Sequence, residues 1–320
     1  MTAETVVLSD PASGAEAHVL TGYGFNCHRF STLHNGQPVE ALWSAPGFAE
    51  GGRASSSGIP LLFPFAGRIG GARYEFAGRE YRLEEGDGRG NAIHGFVLNR
   101  PWQVVEQSVS RVVGRFQASR VDATLLEKWP ADFVLTCAYE LRGQTLLSDF
   151  IVENPDERPL PFGLGTHPYF RLPLGPRGQA ANCRITVPIA RSWQLVDMLP
   201  TGEETSGEVH ERLRRGMAFG DTQFDDVFSG VAAAAGAGTV GTATARIDDP
   251  ANGRGLRIDF DASFRECVVY NPPHREAICI EPYTCVPDLF RLAAAGRNTG
   301  LRVLAPGERF TARIAMTVEG

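Results

Sequence analysis

Short runs in which apolar and polar residues alternate follow one another along most of the chain, with turn residues between them. Alternation of this kind is typical of β-strands that bury one face. In residues 73–83, RYEFAGREYRL, it continues on both sides of Ala77-Gly78-Arg79 and predicts two strands joined by a tight turn. Comparable runs occur at residues 6–10, 102–109, 111–121, 132–141, 146–154, 183–189, 256–260 and 267–270.

Helical periodicity is weak by comparison. The best helix candidates are short, at residues 122–130 (DATLLEKWP) and 286–295 (VPDLFRLAAA). The segment 231–245, VAAAAGAGTVGTATA, has the composition of a helix start, but its glycines favour a mobile loop. Many short strands with Gly and Pro turns, and no Pro/Ser linker between them, predict an all-β sandwich or barrel that forms one domain over residues 1–320.

The charged residues are scattered along the chain. There are 31 Lys and Arg against 37 Asp and Glu, which gives a net charge of −6 without a basic stripe. This argues against a nucleic-acid partner and favours a small neutral or polar ligand. No secretory signal begins the chain, and no stretch approaches the roughly 18 apolar residues of a membrane helix. We therefore expect a cytoplasmic protein without a membrane partner, either monomeric or homodimeric.

Cysteine usage agrees with a reducing compartment. The six cysteines lie in apolar or strand-like contexts, and none forms a C-x-x-C pair, so we expect buried thiols that act as small apolar side chains. A disulfide between Cys279 and Cys285 is the alternative, and a reducing compartment disfavours it. The six are Cys27, Cys137, Cys183, Cys267, Cys279 and Cys285.

Two histidines and one glutamate stand out by context. His94 lies in GNAIHGFVLNRPW and His167 in GLGTHPYFRL, and each taken alone fits either a hydrogen-bonded strand-end histidine or a functional group. Glu281 follows the apolar run Ala277–Ile280. Burial at the end of such a strand raises a carboxyl pKa, which suits a general base, whereas a surface acid at a strand terminus is the plainer alternative.

Three more polar residues lie in apolar or glycine-rich loops: Arg68 in IPLLFPFAGRIGG, and Asp225 and Asp226 in TQFDDVFSG. A strand-end charge and a turn are their alternatives. A metal site of His94, His167 and a carboxylate would form a facial triad, but the H-x-[DE] spacing usual for that site is absent, so we expect no metal. No G-x-S-x-G elbow, P-loop or dinucleotide-binding fingerprint is present either.

Taken in order, these motifs resemble those of the galactose mutarotase (aldose 1-epimerase) family. The resemblance implies a large antiparallel β-sandwich of the galactose mutarotase type with few short helices. It also implies an isomerase that binds a monosaccharide and interconverts the α and β anomers of a free aldose without any cofactor. The matching pieces, within roughly residues 58–290, are GIPLLFPFAGRIGGARYEFAGREYRL, NAIHGFVLNRPWQVVE, VENPDERPLPFGLGTHPYFRLP, WQLVDMLPTGE, FDDVF and AICIEPYTCVPDLF.

The resemblance assigns roles to the catalytic candidates. Glu281 takes the place of the family's general base, which removes the proton of the anomeric hydroxyl. His167, in the HPYF motif, matches the general acid that protonates the ring oxygen. His94, in the HG motif, is implied to hydrogen-bond and polarise the same region of the sugar.

Sugar binding is assigned in the same way to Arg68 and Asp225, which would hold the hydroxyls that fix the sugar's orientation. Asp225 is preferred to Asp226 because the family's aspartate lies three residues before an aromatic residue, here Phe228. One departure concerns Gly67, which stands where the family often has Asn in Asn-Arg-Ile.

The motifs do not identify the sugar. EPYTCVPDLFRL, residues 281–292, resembles divergent bacterial branches more than the galactose-metabolising ones. A related branch epimerises hexose 6-phosphates, for which Arg73, Arg100 and Arg171 are candidate phosphate partners. A non-catalytic carbohydrate-binding protein on the same scaffold, or a glycoside hydrolase with Glu281 and Asp225 as its two carboxylates, are the alternatives from other classes.

Overall fold

The computed structural model describes residues 4–232 and 241–320 of the chain. Strands dominate these residues, and the helices are short. The strands are β1 (Thr5–Asp10), β2 (Ala15–Leu20), β3 (Asn26–His34), β4 (Gln37–Glu40), β5 (Leu61–Leu62), β6 (Arg68–Ile69), β7 (Arg73–Phe76), β8 (Arg79–Arg82), β9 (Ala92–Ile93), β10 (Gln103–Gln107), β11 (Arg111–Gln117), β12 (Val134–Arg142), β13 (Thr145–Glu153), β14 (Leu160–Phe162), β15 (Gly165–Thr166), β16 (Tyr169–Arg171), β17 (Arg184–Thr186), β18 (Arg191–Val196), β19 (Leu199–Thr205), β20 (Met217–Ala218), β21 (Asp225–Ser229), β22 (Thr242–Asp249), β23 (Arg254–Asp261), β24 (Glu266–Tyr270), β25 (Ala277–Tyr283), β26 (Arg302–Leu304) and β27 (Arg309–Glu319). The helices are α1 (Ala118–Val121), α2 (Leu125–Lys128), α3 (Glu208–Arg215) and α4 (Leu289–Ala294).

Two large antiparallel sheets form the body of the molecule. The nine-stranded sheet has the order β10-β11-β12-β13-β27-β23-β22-β17-β20. The eight-stranded sheet runs β19-β18-β21-β24-β25-β15-β5, and β16 also pairs with β25. Strands β1 to β4 form a separate four-stranded sheet, and three small pairs (β14-β26, β6-β9 and β7-β8) complete the strands. The predicted large antiparallel β-sandwich is confirmed.

The core lies between the large sheets, as the alternation of burial along their strands requires. In β13 every second residue from Leu146 to Val152 is buried, and the residues between are partly exposed. Phe150 and Ile258 of the nine-stranded sheet belong to the same buried cluster as Val269 and Ile280 of the eight-stranded sheet. The two large sheets therefore share one core, and one domain over residues 1–320 stays a prediction.

The strand predictions correspond closely to the structure. Strands β7 and β8 form the predicted hairpin, with Ala77 and Gly78 at φ values of 51° and 76° in its turn. Two positive φ values in a two-residue loop are the signature of a type I′ turn. The other runs coincide with strands, except that residues 118–121, predicted as strand, form α1.

The helix and loop predictions are only partly correct. The two predicted helices are confirmed as the short helices α2 and α4, of four and six residues. Helix α3 was not predicted, because only His210 and Leu213 are buried on it. Within segment 231–245, residues 233–240 lie outside the described residues. The loop prediction is wrong from Thr242 onward, where β22 begins and Ala243 and Ala245 supply its buried face.

Two further predictions concern the cysteines and the membrane. All six cysteines are free and buried, as expected, so Cys279 and Cys285 form no disulfide. Among the described residues, no helix combines the length and the apolar composition needed to span a bilayer.

Candidate active site

Strand β25 is the central element of the site because it is buried along its whole length. Ile278 and Ile280 belong to the core cluster, so strand alternation directs Glu281 to the opposite face, where Glu281 and Tyr283 line a cavity. Pairing with β24 on one side and with β15 and β16 on the other leaves β25 no free edge. The apolar run that ends in Glu281 therefore places a carboxylate at the bottom of a cleft.

His167 reaches this carboxylate through an interruption in the neighbouring strand. Strands β15 and β16 pair with β25 on either side of Glu281, and His167 lies in the gap between them. Pro168 has no N–H to continue the ladder, and the backbone N–H of His167 instead donates to the Pro60 carbonyl, 3.0 Å away. The register on both sides of the gap sets His167 opposite Glu281.

Aromatic packing fixes the orientation of the imidazole. The rings of His167 and Tyr169 stack with centroids 4.9 Å apart and an angle of 14° between their planes. Gly165 leaves room for the neighbouring Tyr283, because a Cβ at position 165 would lie 2.6 Å from Cδ1 of that ring. The glycines and aromatics around the histidine are therefore packing requirements of the cleft floor.

Glu281 and His167 form a close buried pair. Nε2 of His167 lies 3.3 Å from Oε1 of Glu281, and the two residues are 7% and 1% exposed, respectively. The Tyr283 hydroxyl donates to the other carboxylate oxygen, Oε2, at 2.8 Å. Neither Oε1 of Glu281 nor Nδ1 of His167 has a hydrogen-bond partner among the described residues. One carboxylate oxygen is thus held by the protein, and the other faces the cleft.

His94 approaches from a tight turn after β9. Its φ is 65°, and its backbone N–H donates to the Gly67 carbonyl at 2.8 Å. Its ring meets that of His167 edge-on, with centroids 5.6 Å apart. Gly95 is required here, because its φ is 73° and a Cβ would lie 2.1 Å from the carbonyl oxygen of Phe63. The HG motif therefore turns the chain so that the histidine enters the cleft.

Arg68, in β6, is oriented by a buried acid. Its Nε donates to Oδ2 of Asp87 at 3.0 Å. Burial raises the pKa of the Asp87 carboxyl, but hydrogen bonds from Asn91, from backbone N–H groups and from Arg68 outweigh it and hold that pKa at about 2. At the adjacent Gly67, a Cβ would lie 2.6 Å from Cγ of Pro287, which explains why the side chain of Asn is absent here.

Asp225 and Asp226 begin β21 and point to opposite faces of it. Asp225 pairs in register with Tyr270 and lines the cleft, whereas Asp226 does not. Burial raises the pKa of Asp225, and the nearby positive charge of Arg68 opposes that rise. Of the two neighbouring acids, Asp225 is therefore the one placed to meet a ligand.

Five of the six side chains singled out from the sequence, all except Asp226, line one cavity of about 240 Å³. Three histidine and carboxylate groups, His94, His167 and Glu281, lie together, with Arg68 and Asp225 completing the wall. A cavity of this size with convergent polar groups suits one small polar molecule.

Burial shifts the pKa values of Glu281 and His167 in opposite directions. It raises the pKa of Glu281 well above its usual value, with the charge of Asp225 adding to the rise and the Tyr283 hydrogen bond opposing it. It lowers the pKa of His167 to about 4 and that of His94 well below its usual range. Over a wide pH range the pair of Glu281 and His167 therefore shares a single proton.

The lining residues that sequence reasoning missed include one charged side chain, Arg53, and two tyrosines, Tyr270 and Tyr283. The place of Tyr283 could have been predicted from the sequence, because it follows Glu281 by two positions and so lies on the same face of the strand. Tyr270, at the end of a strand-like run, carried a weaker signal. Arg53 carried none, since only the tertiary fold brings its loop to the cleft.

Cys279 joins Glu281 and His167 in a group whose potential ligand atoms all lie within 4.8 Å of one another. Burial raises the pKa of the Cys279 thiol and of the Glu281 carboxyl and so favours their neutral forms. A divalent cation binds thiolate and carboxylate, so burial disfavours the forms of these two groups that a cation would need.

The comparisons with known proteins identify the family of the chain. Residues 20–317 match the family model described as aldose 1-epimerase. YphB, an uncharacterized protein of Escherichia coli strain K12, is 27% identical over 304 residues, which cover 89% of this chain and 93% of YphB.

Solved structures share the fold. A galactose mutarotase-like protein of Clostridium acetobutylicum superposes with a TM-score of 0.84 at 22% identity, covering 96% of this chain and 93% of its own. The GalM/aldose epimerase homologue of C. elegans gives a TM-score of 0.78 at 17% identity, with 99% of both chains covered. Because the family model spans nearly the whole sequence, the chain belongs to the aldose 1-epimerase family.

Proposed function

We propose that the protein is a mutarotase, which interconverts the α and β anomers of a free aldose by opening and reclosing the sugar ring. The observation that carries this proposal is the buried pair of Glu281 and His167. Their facing atoms, Oε1 and Nε2, lie 3.3 Å apart on the wall of a cavity sized for a monosaccharide. Ring opening needs one base and one acid on two different oxygens of the same sugar.

The proton balance of the reaction matches a pair that holds one proton. Ring opening begins from the less populated form of this pair, in which Glu281 is ionised and His167 is protonated. The O1 proton moves to Glu281, a C1–O1 double bond forms, the C1–O5 bond breaks, and O5 takes the proton of His167. Rotation about C1–C2 followed by the reverse transfers gives the other anomer. The pair carries one proton at the beginning and at the end, and only its position changes.

The surrounding residues orient the sugar in this proposal. The guanidinium N–H groups of Arg68 that Asp87 does not engage, and the carboxylate of Asp225, supply donors and acceptors for ring hydroxyls. His94, with a pKa well below neutral, is uncharged and hydrogen-bonds near O5. Such positioning places the reacting oxygens near the acid and the base, which accounts for a large part of the rate in reactions of this kind.

Polarimetry of freshly dissolved α-glucose and α-galactose tests the proposal. We expect the optical rotation to reach equilibrium faster than in buffer for at least one sugar, and the Glu281→Gln protein to remove that acceleration. If no sugar is accelerated, the mutarotase proposal is wrong. Sugar binding by calorimetry without mutarotation would favour a non-catalytic carbohydrate-binding protein, and release of an aryl alcohol from aryl glycosides would favour a hydrolase.

The 6-phosphate alternative has less support from the structure. Neither Arg73 nor Arg171 lines the proposed sugar cavity. Arg100 lines an adjoining cavity, but its guanidinium donates to Asp122 at 3.1 Å and to the Phe96 carbonyl at 2.7 Å. Glucose 6-phosphate belongs in the same polarimetric series, and a clear preference for it over glucose would restore this alternative.

A further inference from the structure

One arginine at the cleft has no partner of its own. Arg53 is exposed and lines both the sugar cavity and the adjoining cavity of about 380 Å³. Among residues 4–232 and 241–320 its guanidinium makes no ion pair, whereas Arg68 and Arg100 are paired with Asp87 and Asp122. Residues 1–3 and 233–240 contain no Asp or Glu, so they supply no carboxylate either.

The loop that carries this arginine is anchored at several points. The Arg53 carbonyl accepts from both the backbone N–H and the hydroxyl of Ser56, at 3.0 and 2.8 Å. The carbonyl of Ser55 accepts from the Tyr169 hydroxyl at 2.8 Å, and that tyrosine stacks on His167. The backbone at Arg53 is therefore fixed relative to the proposed acid.

Arg53 lies near one side of the position proposed for the sugar. Arg53 and His94 line both the sugar cavity and the adjoining cavity, whereas His167, Glu281 and Arg68 line the sugar cavity alone. If Glu281 faces O1 and His167 faces O5, the C5 and C6 side of the ring lies beyond His167 as seen from Glu281. The hydrogen bond from Tyr169, which stacks on His167, to the Ser55 carbonyl sets the loop of Arg53 beside the His167 end of the cavity.

The charged residues near Arg53 favour a carboxylate over a phosphate as its ligand. In the adjoining cavity, Lys128 is paired with Glu84 at 2.5 Å, and Glu85 is exposed without an ion pair in the described part of the chain. A phosphate on O6 would extend toward these acids as a dianion. A carboxylate at C6 is shorter, carries one charge and matches the planar fork of a single guanidinium.

We infer that Arg53 binds the carboxylate of a sugar oxidised at C6, and that hexuronic acids are a substrate class of this site. The inference rests on the proposed mutarotase function, since it uses the orientation that Glu281 and His167 impose. It assigns Arg53 as a specificity-determining residue that contacts the substituent at C5 of the ring and none of the reacting atoms.

Exchange NMR between the two anomeric protons tests the inference, because it needs no pure anomer. The probes are glucuronate, galacturonate, glucose and glucose 6-phosphate. The proteins are wild type, Arg53→Gln, Arg53→Lys and the matched control Arg73→Gln, which removes an exposed arginine that lies outside both cavities.

We expect wild type to favour at least one uronate over glucose in kcat/KM. Arg53→Gln should lower the ratio of uronate to glucose kcat/KM by roughly 10- to 100-fold, the loss expected for a hydrogen bond to a charged group. Arg53→Lys should fall between wild type and Arg53→Gln, and Arg73→Gln should leave the ratio unchanged.

A ratio that Arg53→Gln does not alter would overturn the inference, as would a preference for glucose 6-phosphate over the uronates that depends on Arg53. In both cases exchange of glucose would still be catalysed, so the proposed mutarotase function would stand. Absence of catalysed exchange for all four sugars would instead refute the proposed function itself.

Discussion

Replacement of Tyr283 by Phe tests the proton balance of the site, because it removes one hydrogen bond to the proposed base and leaves the ring in place. The hydroxyl donates to Oε2 of Glu281 at 2.8 Å, and both side chains are buried. A hydrogen bond to a charged group contributes about 1.5–3 kcal/mol, and one pKa unit corresponds to about 1.36 kcal/mol. Its loss should therefore raise the pKa of Glu281 further, by roughly one to two units.

The sign of the effect on activity follows from the one-proton pair. Burial puts the pKa of His167 at about 4 and that of Glu281 well above its usual value. Activity should therefore fall below about pH 4, where the pair gains a second proton, and again above the pKa of Glu281, where it loses its last one. Tyr283→Phe should move the alkaline limb of kcat/KM upward by roughly one to two pH units.

The plateau should change at the same time. Within the singly protonated pair, the form with ionised Glu281 becomes rarer when its hydrogen bond is lost, so plateau kcat/KM should fall roughly 10- to 100-fold. Polarimetry over a pH series, with the buffer rate subtracted, measures both quantities. Tyr139→Phe is the matched control, since Tyr139 is a buried core residue whose hydroxyl has no hydrogen-bond partner among the described residues. A lowered plateau with an unmoved alkaline limb would refute the reasoning.

Three further changes have distinct expected outcomes. Glu281→Gln should lower kcat by roughly 10²- to 10⁴-fold. The pKa of Glu281 is higher in the folded state than in the unfolded state, so the wild-type protein loses stability as pH rises from the unfolded-state pKa through the folded-state pKa. The Gln protein should therefore melt at or above the wild-type temperature at alkaline pH. A lower melting temperature there would contradict this. Asp225→Asn should lower kcat/KM roughly 10-fold or more in polarimetric assays. Asp226→Asn, on the other face of β21, is the control and should change kcat/KM less than about twofold. Equal effects of the two substitutions would argue against sugar binding by Asp225. Gly67→Asn should lower the unfolding free energy by about 1–3 kcal/mol in urea titrations, because its Cβ would lie 2.6 Å from Cγ of Pro287, and an unchanged midpoint would show that Pro287 moves aside.

Local patterns in the sequence were sufficient to predict most strands. The hairpin of β7 and β8 is an example, since its alternation and its Ala77-Gly78 turn are set by residues close in sequence. Helix α3 shows where such patterns fail. With two buried residues in eight, its position depends on contacts with distant strands rather than on its own periodicity.

The site divides in the same way. Glu281 could be proposed from the apolar run before it, and His167 from its motif. Their 3.3 Å approach, however, depends on the register of β15 and β16 against β25, a strand that is distant from both in sequence. Arg53 could not be proposed at all, because its loop has no motif and reaches the cleft only through hydrogen bonds such as that between Ser55 and Tyr169. Long-range pairing is the information that local sequence patterns lack.

Burial on both faces of β25 determines the pKa of Glu281. It therefore determines both the strength of this proposed base and the free-energy cost of ionising it in the folded protein. The raised pKa that makes Glu281 a stronger base once ionised also makes ionisation unfavourable for the folded state. The Tyr283 hydrogen bond moderates this cost by stabilising the ionised form. A substitution that admitted water to the cleft floor would make ionisation easier and would lower the pKa that makes the carboxylate an effective base. Stability and base strength at this site are therefore opposed. A strand that is paired on both edges suits the carboxylate because it keeps water from the cleft floor and so keeps the pKa raised.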